Sequence, residues 1–137
     1  MIRAVVDTNV IVAGFLSPSG PPGRILDWLR GGTVAAIYDD RILEEYAEVL
    51  VRPAFRLPVA DVEMVLDIIR SRGERVDVGP QDTLSLPDSD DGPFAECARV
   101  ASVPLVTGNL RHFPKRICRD IRVLTPAQFV ALATRPE

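Results

Sequence analysis

The 137-residue sequence predicts a three-layer α/β/α protein: a central, mostly parallel sheet covered by helices, with a helical clip on one flank. Three observations carry this prediction. Four short apolar runs, 3–6, 34–38, 103–107 and 121–124, read as buried strands. Stretches of helical period and length alternate with them, which requires right-handed crossovers between parallel strands. Polar residues follow the strands directly, and in an open α/β sheet the carboxyl ends of strands are where ligands bind.

In chain order, the β-branched run 3–6 ends on Asp7, and 9–15 is apolar and helix-compatible. Ser17, Pro18, Gly20, Pro21, Pro22 and Gly23 make a turn-rich loop, and the prolines favour a helix over 24–30 that Gly31 and Gly32 close. After strand 34–38, Asp39 and Asp40 are good helix N-caps. Over 41–51, Ile42, Leu43, Tyr46, Val49 and Leu50 form one stripe. Glu44 and Glu48 point away from that stripe and Glu45 lies at its border, where a carboxylate can lean into a cleft while its helix packs on the sheet.

Arg52-Pro53 ends this helix. A second amphipathic helix over 58–72 turns Val62, Val65, Leu66 and Ile69 inward, and the pair forms the clip. Residues 75–78 read as a short edge strand and 79–87 as a polar loop. A helix begins near Pro93, with Phe94, Cys97, Ala98 and Ala101 on one face. Extending that wheel backwards puts Asp91 and Asp90 on the core side. The last strand is followed by Thr125 as N-cap and Pro126 at the first position of a terminal helix.

The length suits one domain, 1–137, with a self-sufficient core. No apolar run approaches the roughly 20 residues of a membrane span, and no export signal is visible, so the cytoplasm is expected, with Cys97 and Cys118 as reduced thiols. Net charge is −3 and the pI about 5.2, which argues against a general nucleic-acid binder with a broad basic surface. The cations that do cluster are Arg111, Lys115, Arg116, Arg119 and Arg122, with His112 among them; they read equally as a solvated face or as a phosphate-contacting rim.

Topology alone would bring Asp7, the Asp39–Asp40 turn, the loop 88–91 and Asn109 to one edge of the sheet. Carboxylates gathered there repel, and a divalent cation relieves the repulsion. Oxygen ligands without Cys or His suit Mg²⁺ or Mn²⁺ better than zinc. Each residue also has a plainer reading. Asp7 would simply cap the helix that follows, Glu45 would be a surface glutamate, and Asp90 would be the N-cap of the Phe94 helix, leaving Asp91 as the ligand. Asp88 stands evenly between turn former and ligand. His112, beside Phe113, reads as a loop packing group rather than a general base.

Four segments together resemble the PIN-domain family of metal-dependent ribonucleases: Val5-Val6-Asp7-Thr8-Asn9-Val10; 42–50, with Glu44, Glu45 and Glu48; Asp88-Ser89-Asp90-Asp91-Gly92-Pro93-Phe94 with Ala98 beyond; and 105–109 followed by His112-Phe113-Pro114. The resemblance implies that Asp7, Glu45 and Asp91 are metal ligands, and that Asn9 and Thr107 orient them by hydrogen bonds. It implies a toxin-type endoribonuclease that uses Mg²⁺ or Mn²⁺ to activate a water, leaves 5′-phosphate and 3′-hydroxyl ends, and pairs with an antitoxin. A homodimer or higher oligomer is expected through apolar residues on the flank helices.

The chain departs from the family pattern where many relatives have an aspartate and this one has Asn109. An amide adds no charge, so a second metal would bind more weakly unless Asp88 or Asp90 compensates. That departure motivates a second reading, a PIN-like module that binds RNA or an antitoxin without cutting. A phosphotransfer fold is a third, but Asp7-Thr8-Asn9 fits neither the acidic pair nor the Asp-x-Asp such folds carry after the first strand.

Overall fold

The computed structural model describes residues 1–135. Its sheet contains five parallel strands: β1 Ile2–Val6, β2 Val34–Tyr38, β3 Glu74–Arg75, β4 Leu105–Val106 and β5 Val123–Leu124. They run in the order β3-β2-β1-β4-β5. Strand and helix alternate as expected, but the outer strands are shorter than the apolar runs. The edge strand is two residues long, begins at Glu74 and keeps only Arg75 of the expected 75–78, because both its residues are exposed and only β2 supports it.

Among the described residues six α-helices flank the strands: α1 Thr8–Leu16, α2 Pro21–Gly31, α3 Asp40–Leu50, α4 Val59–Arg72, α5 Gly92–Ala101 and, after the last strand, α6 Pro126–Ala133. Local chemistry fixes several ends. Pro21 opens α2, and Gly32 closes it at φ 86°, a left-handed turn that glycine adopts without a Cβ penalty. Asp39 caps α3, accepting from the Ile42 amide at 3.1 Å. Thr125 and Gln128 form a reciprocal capping box at α6.

One helical layer is formed by α2, which packs on β2 and against both α4 and α6. Trp28 of α2 meets Phe129 of α6 edge to face at 6.3 Å. On the opposite face α5 lies over β1 and β2, and α3 leans against it. Helices α3 and α4 pack together as the expected clip. No helix among the described residues is long and apolar enough to cross a membrane.

The strand order locates the site. The chain moves outward from β1 to β2 and β3, then returns to the other side of β1 to form β4. Loops leaving the carboxyl ends of β1 and β4 therefore diverge and open a crevice between them. Asp7 follows β1 directly, and Thr107-Gly108-Asn109 follows β4.

Candidate metal centre

Asp7 is buried at the mouth of this crevice. It occupies the N-cap position of α1, and its side chain closes no cap hydrogen bond there. Its Oδ2 instead accepts from Thr107 Oγ1 at 2.8 Å and from Asn9 Nδ2 at 3.3 Å. Asn9 Oδ1 accepts the Gly108 amide at 3.0 Å, so this one amide side chain ties the end of β1 to the end of β4. A Cβ at Gly108 would stand 3.3 Å from the same oxygen, leaving little room for a larger residue. Thr107 Oγ1 also accepts the Asn109 amide at 3.1 Å, which orients its proton towards Asp7. Burial pushes the Asp7 carboxyl above its ordinary range; the Thr107 hydroxyl, the neighbouring amides and His112 oppose that rise.

Glu45 comes from the clip. It is half-buried on α3, while Glu44 and Glu48 are exposed, as the helical wheel predicts. Its Oε2 accepts the Thr8 hydroxyl. Beside it, the buried Tyr46 donates its hydroxyl to the Val6 carbonyl, pinning α3 to the end of β1. Burial raises the Glu45 carboxyl, the Thr8 hydrogen bond lowers it, and the charge of Asp7 raises it further.

Asp91 is buried at the start of α5. Its carboxyl is pushed up to about 6, chiefly by burial and then by the charge of Asp7, with His112 acting the other way. Nδ1 of His112 stands 3.0 Å from Asp91 Oδ2, but without hydrogen-bond geometry, so this buried oxygen has no donor. No Lys or Arg pairs with Asp7, Glu45 or Asp91 among the described residues.

The neighbouring acids fall elsewhere, and two expectations are corrected. Asp90 neither caps the Phe94 helix nor faces the core. The helix starts from a short 3₁₀ turn, Ser89–Asp91, which rotates Asp90 out to solvent and puts Asp91 in the cap position. Asp88 caps that turn through the Asp90 amide at 2.9 Å and is exposed, so its turn-forming reading is the one its hydrogen bond supports. The Asp39–Asp40 turn does not join the cluster: Arg41 holds Asp39 at 2.6 Å, and Arg75 holds Asp40 at 2.9 Å. Asn109 is half-buried beside Thr107. His112 is more than a packing group, since it meets Asp91.

The wheel and the spacing also passed over Thr8, Tyr46 and an ion-pair group in which the exposed Arg41 joins the buried Asp39 and Glu96. Glu96 further accepts the Leu84 amide at 2.9 Å, fixing the loop before α5. Thr8 and Tyr46 each adjoin a singled-out carboxylate in sequence, and that adjacency was their signal; nothing in the sequence marked Glu96.

The chemistry of the set would suit a hard divalent cation: three carboxylates, each with its affinity for a proton raised by burial, one of them with a buried oxygen that accepts no hydrogen bond. Among the described residues no three His, Cys, Asp or Glu stand together so as to hold an ion; Glu45 faces Thr8 and Asp91 faces His112. A cleft of about 290 Å³ opens beside Glu45, between α3 and the start of α5, and is lined by Arg41, Arg52, Ser89 and Asp90 among others.

Residues 3–111 match the family model described as PIN domain. An uncharacterized protein of Methanocaldococcus jannaschii is 26% identical over 139 residues, covering 94% of this chain and 90% of its own length. Among solved structures, VapBC2 from Rickettsia felis, bound to a DNA fragment from their promoter, superposes with a TM-score of 0.60 at 20% identity, covering 90% of this chain and 98% of that one. The second likeness shows the fold.

Proposed function

This chain belongs to the PIN-domain family, and from that premise we propose that it is a Mg²⁺- or Mn²⁺-dependent endoribonuclease, the toxin of a toxin–antitoxin pair. The observation that carries the proposal is Asp91 Oδ2, a buried carboxylate oxygen that accepts no hydrogen bond and has His112 beside it at 3.0 Å, set among acids that no Lys or Arg neutralises. Asp7, Glu45 and Asp91 would hold the ion, with Asp88 at the rim and Asn9, Thr107 and Asn109 supporting. The bound ion would supply charge neutralisation at the scissile phosphate and activation of a water. The protein's own part is positional. Thr107 and Asn9 hold Asp7 in one orientation, while Tyr46 holds the α3 backbone that presents Glu45.

The Rickettsia felis neighbour is a VapBC assembly, which supports an antitoxin as partner. The exposed Val51, Val59 and Met64 on the clip offer apolar surface for that antitoxin or for a second copy of the chain. Both cysteines are buried and free, in keeping with a cytoplasmic protein. Asn109 favours the second reading, a module that binds without cutting. Incubation of a long RNA with the protein, with Mn²⁺ and then with EDTA, separates the two. Cleavage lost in EDTA and in Asp7→Asn supports the nuclease; intact RNA in Mn²⁺ supports the module.

A further inference from the structure

Charge is distributed unevenly over this molecule. Arg111, Lys115, Arg116, Arg119 and Arg122 account for five of its 16 Lys and Arg, while Asp120 is the one acid of 19 in the same segment. All five cations are exposed, and none meets a carboxylate among the described residues. Of the other eleven, seven meet a carboxylate, while among the described residues Arg24, Arg56, Arg72 and Arg135 stand singly in other segments. Arg3 meets Glu74 at 2.6 Å, and Arg75 meets Asp40 at 2.9 Å. The cations lining the cleft beside Glu45 are neutralised as well, Arg41 by Asp39 and Glu96 and Arg52 by Glu48. Positive charge available to a polyanion near the carboxylates is therefore concentrated on one segment.

That segment has a defined path. It leaves the carboxyl end of β4 at Asn109, touches the candidate centre where His112 meets Asp91, and descends the β5 side of the sheet. It ends at Arg122, whose carbonyl accepts the Leu105 amide at the amino end of the strands. Within it lies an apolar slot of about 190 Å³, lined by Leu110, Phe113, Lys115, Cys118 and Ile121 among others. Cations beside an apolar slot suit a strand whose bases are unstacked; a duplex would keep its bases inside and leave the slot empty.

We propose that segment 110–122 is the docking surface for single-stranded RNA, its five free cations following the phosphates to the carboxylate centre and its slot receiving one unstacked base. The proposal rests on the nuclease reading for the identity of its polyanion, but it is tested without cleavage. A fluorescent single-stranded oligoribonucleotide is titrated in EDTA at several salt concentrations, against the parent protein and a variant with Arg111, Lys115, Arg116, Arg119 and Arg122 all changed to Gln. The expected result is a Kd at least about tenfold higher for the variant, with the log Kd–log salt slope reduced by about 0.7 for each phosphate that the variant no longer neutralises. Duplex RNA of equal length should bind the parent more weakly than the single strand.

A second variant carrying Lys in place of the four arginines should keep most of the affinity, which separates charge from folding. Hydrolysis of bis(p-nitrophenyl) phosphate in Mn²⁺, too small a substrate to need the surface, should be equal in the parent and the Gln variant. If neither protein hydrolyses that ester while RNA affinity still depends on the five cations, the nuclease reading fails and the docking surface stands. An unchanged Kd and slope, no RNA binding by the parent, or equal binding of duplex would each overturn the proposal.

Discussion

Thr107 Oγ1 donates to Asp7 Oδ2 at 2.8 Å, joining two residues 100 positions apart in the chain. Both are buried, and β1 and β4 are paired immediately before them, Val6 opposite Val106. The sheet register therefore sets the orientation of the carboxylate. Thr107→Val keeps the shape and removes the hydroxyl. Loss of such an orienting partner typically weakens a metal site 10–100-fold, so Mn²⁺ affinity by calorimetry should fall within about that range. An unchanged affinity would show that Thr107 is only packing.

Tyr46→Phe removes the hydroxyl that the Val6 carbonyl accepts, leaving a buried acceptor without its donor. The cost should be about 1–3 kcal/mol in denaturant unfolding. Because the same bond pins the turn of α3 that presents Glu45, Mn²⁺ affinity should also fall. A loss of stability with unchanged Mn²⁺ affinity would assign Tyr46 to the core alone.

Asp91 gives a pH prediction. In the folded protein its carboxyl titrates near 6, above the ordinary 3.8, so between those values the folded state holds a proton that the unfolded state has released. Stability of the metal-free protein from this group is therefore greatest below about pH 4 and is lost as pH rises through about 6. Asp91→Asn escapes that loss. It should be more stable than the parent by about 1–2 kcal/mol at pH 7.5, allowing for water that reaches the cleft, and the gap should close towards pH 4. A gap that is constant with pH would refute the assignment of the shift.

Asn109 sits beside Thr107 at the end of β4. Asn109→Asp adds a fourth acid to the group. It should tighten Mn²⁺ binding several-fold and destabilise the metal-free protein above pH 6. Equal Mn²⁺ affinity in both proteins would place Asn109 outside the centre.

The sheet, the clip and the half-buried setting of Glu45 were legible because each rests on a local pattern. The apolar run 34–38 became a fully buried strand, and the border position of Glu45 on its helix followed from 100° per residue. Asp90 and Asp91 could not be separated that way. A 3₁₀ turn advances about 120° per residue, and a wheel drawn at α-helical pitch through Ser89–Asp91 assigns the wrong face. The partners of the carboxylates were also hidden. Thr8 reaching Glu45 and His112 reaching Asp91 are meetings of distant segments, set by how α3 and the β4 loop pack around β1.

The central claim is that Glu45 and Asp91 leave their present partners to share one cation with Asp7, which Thr107 and Asn9 hold in place. Anomalous diffraction from a crystal grown in manganese tests it most directly. The account predicts a single strong peak in contact with all three carboxylates, with Glu45 turned from Thr8 and Asp91 from His112. Saturating manganese with no peak there, and Glu45 and Asp91 still on their present partners, would contradict it.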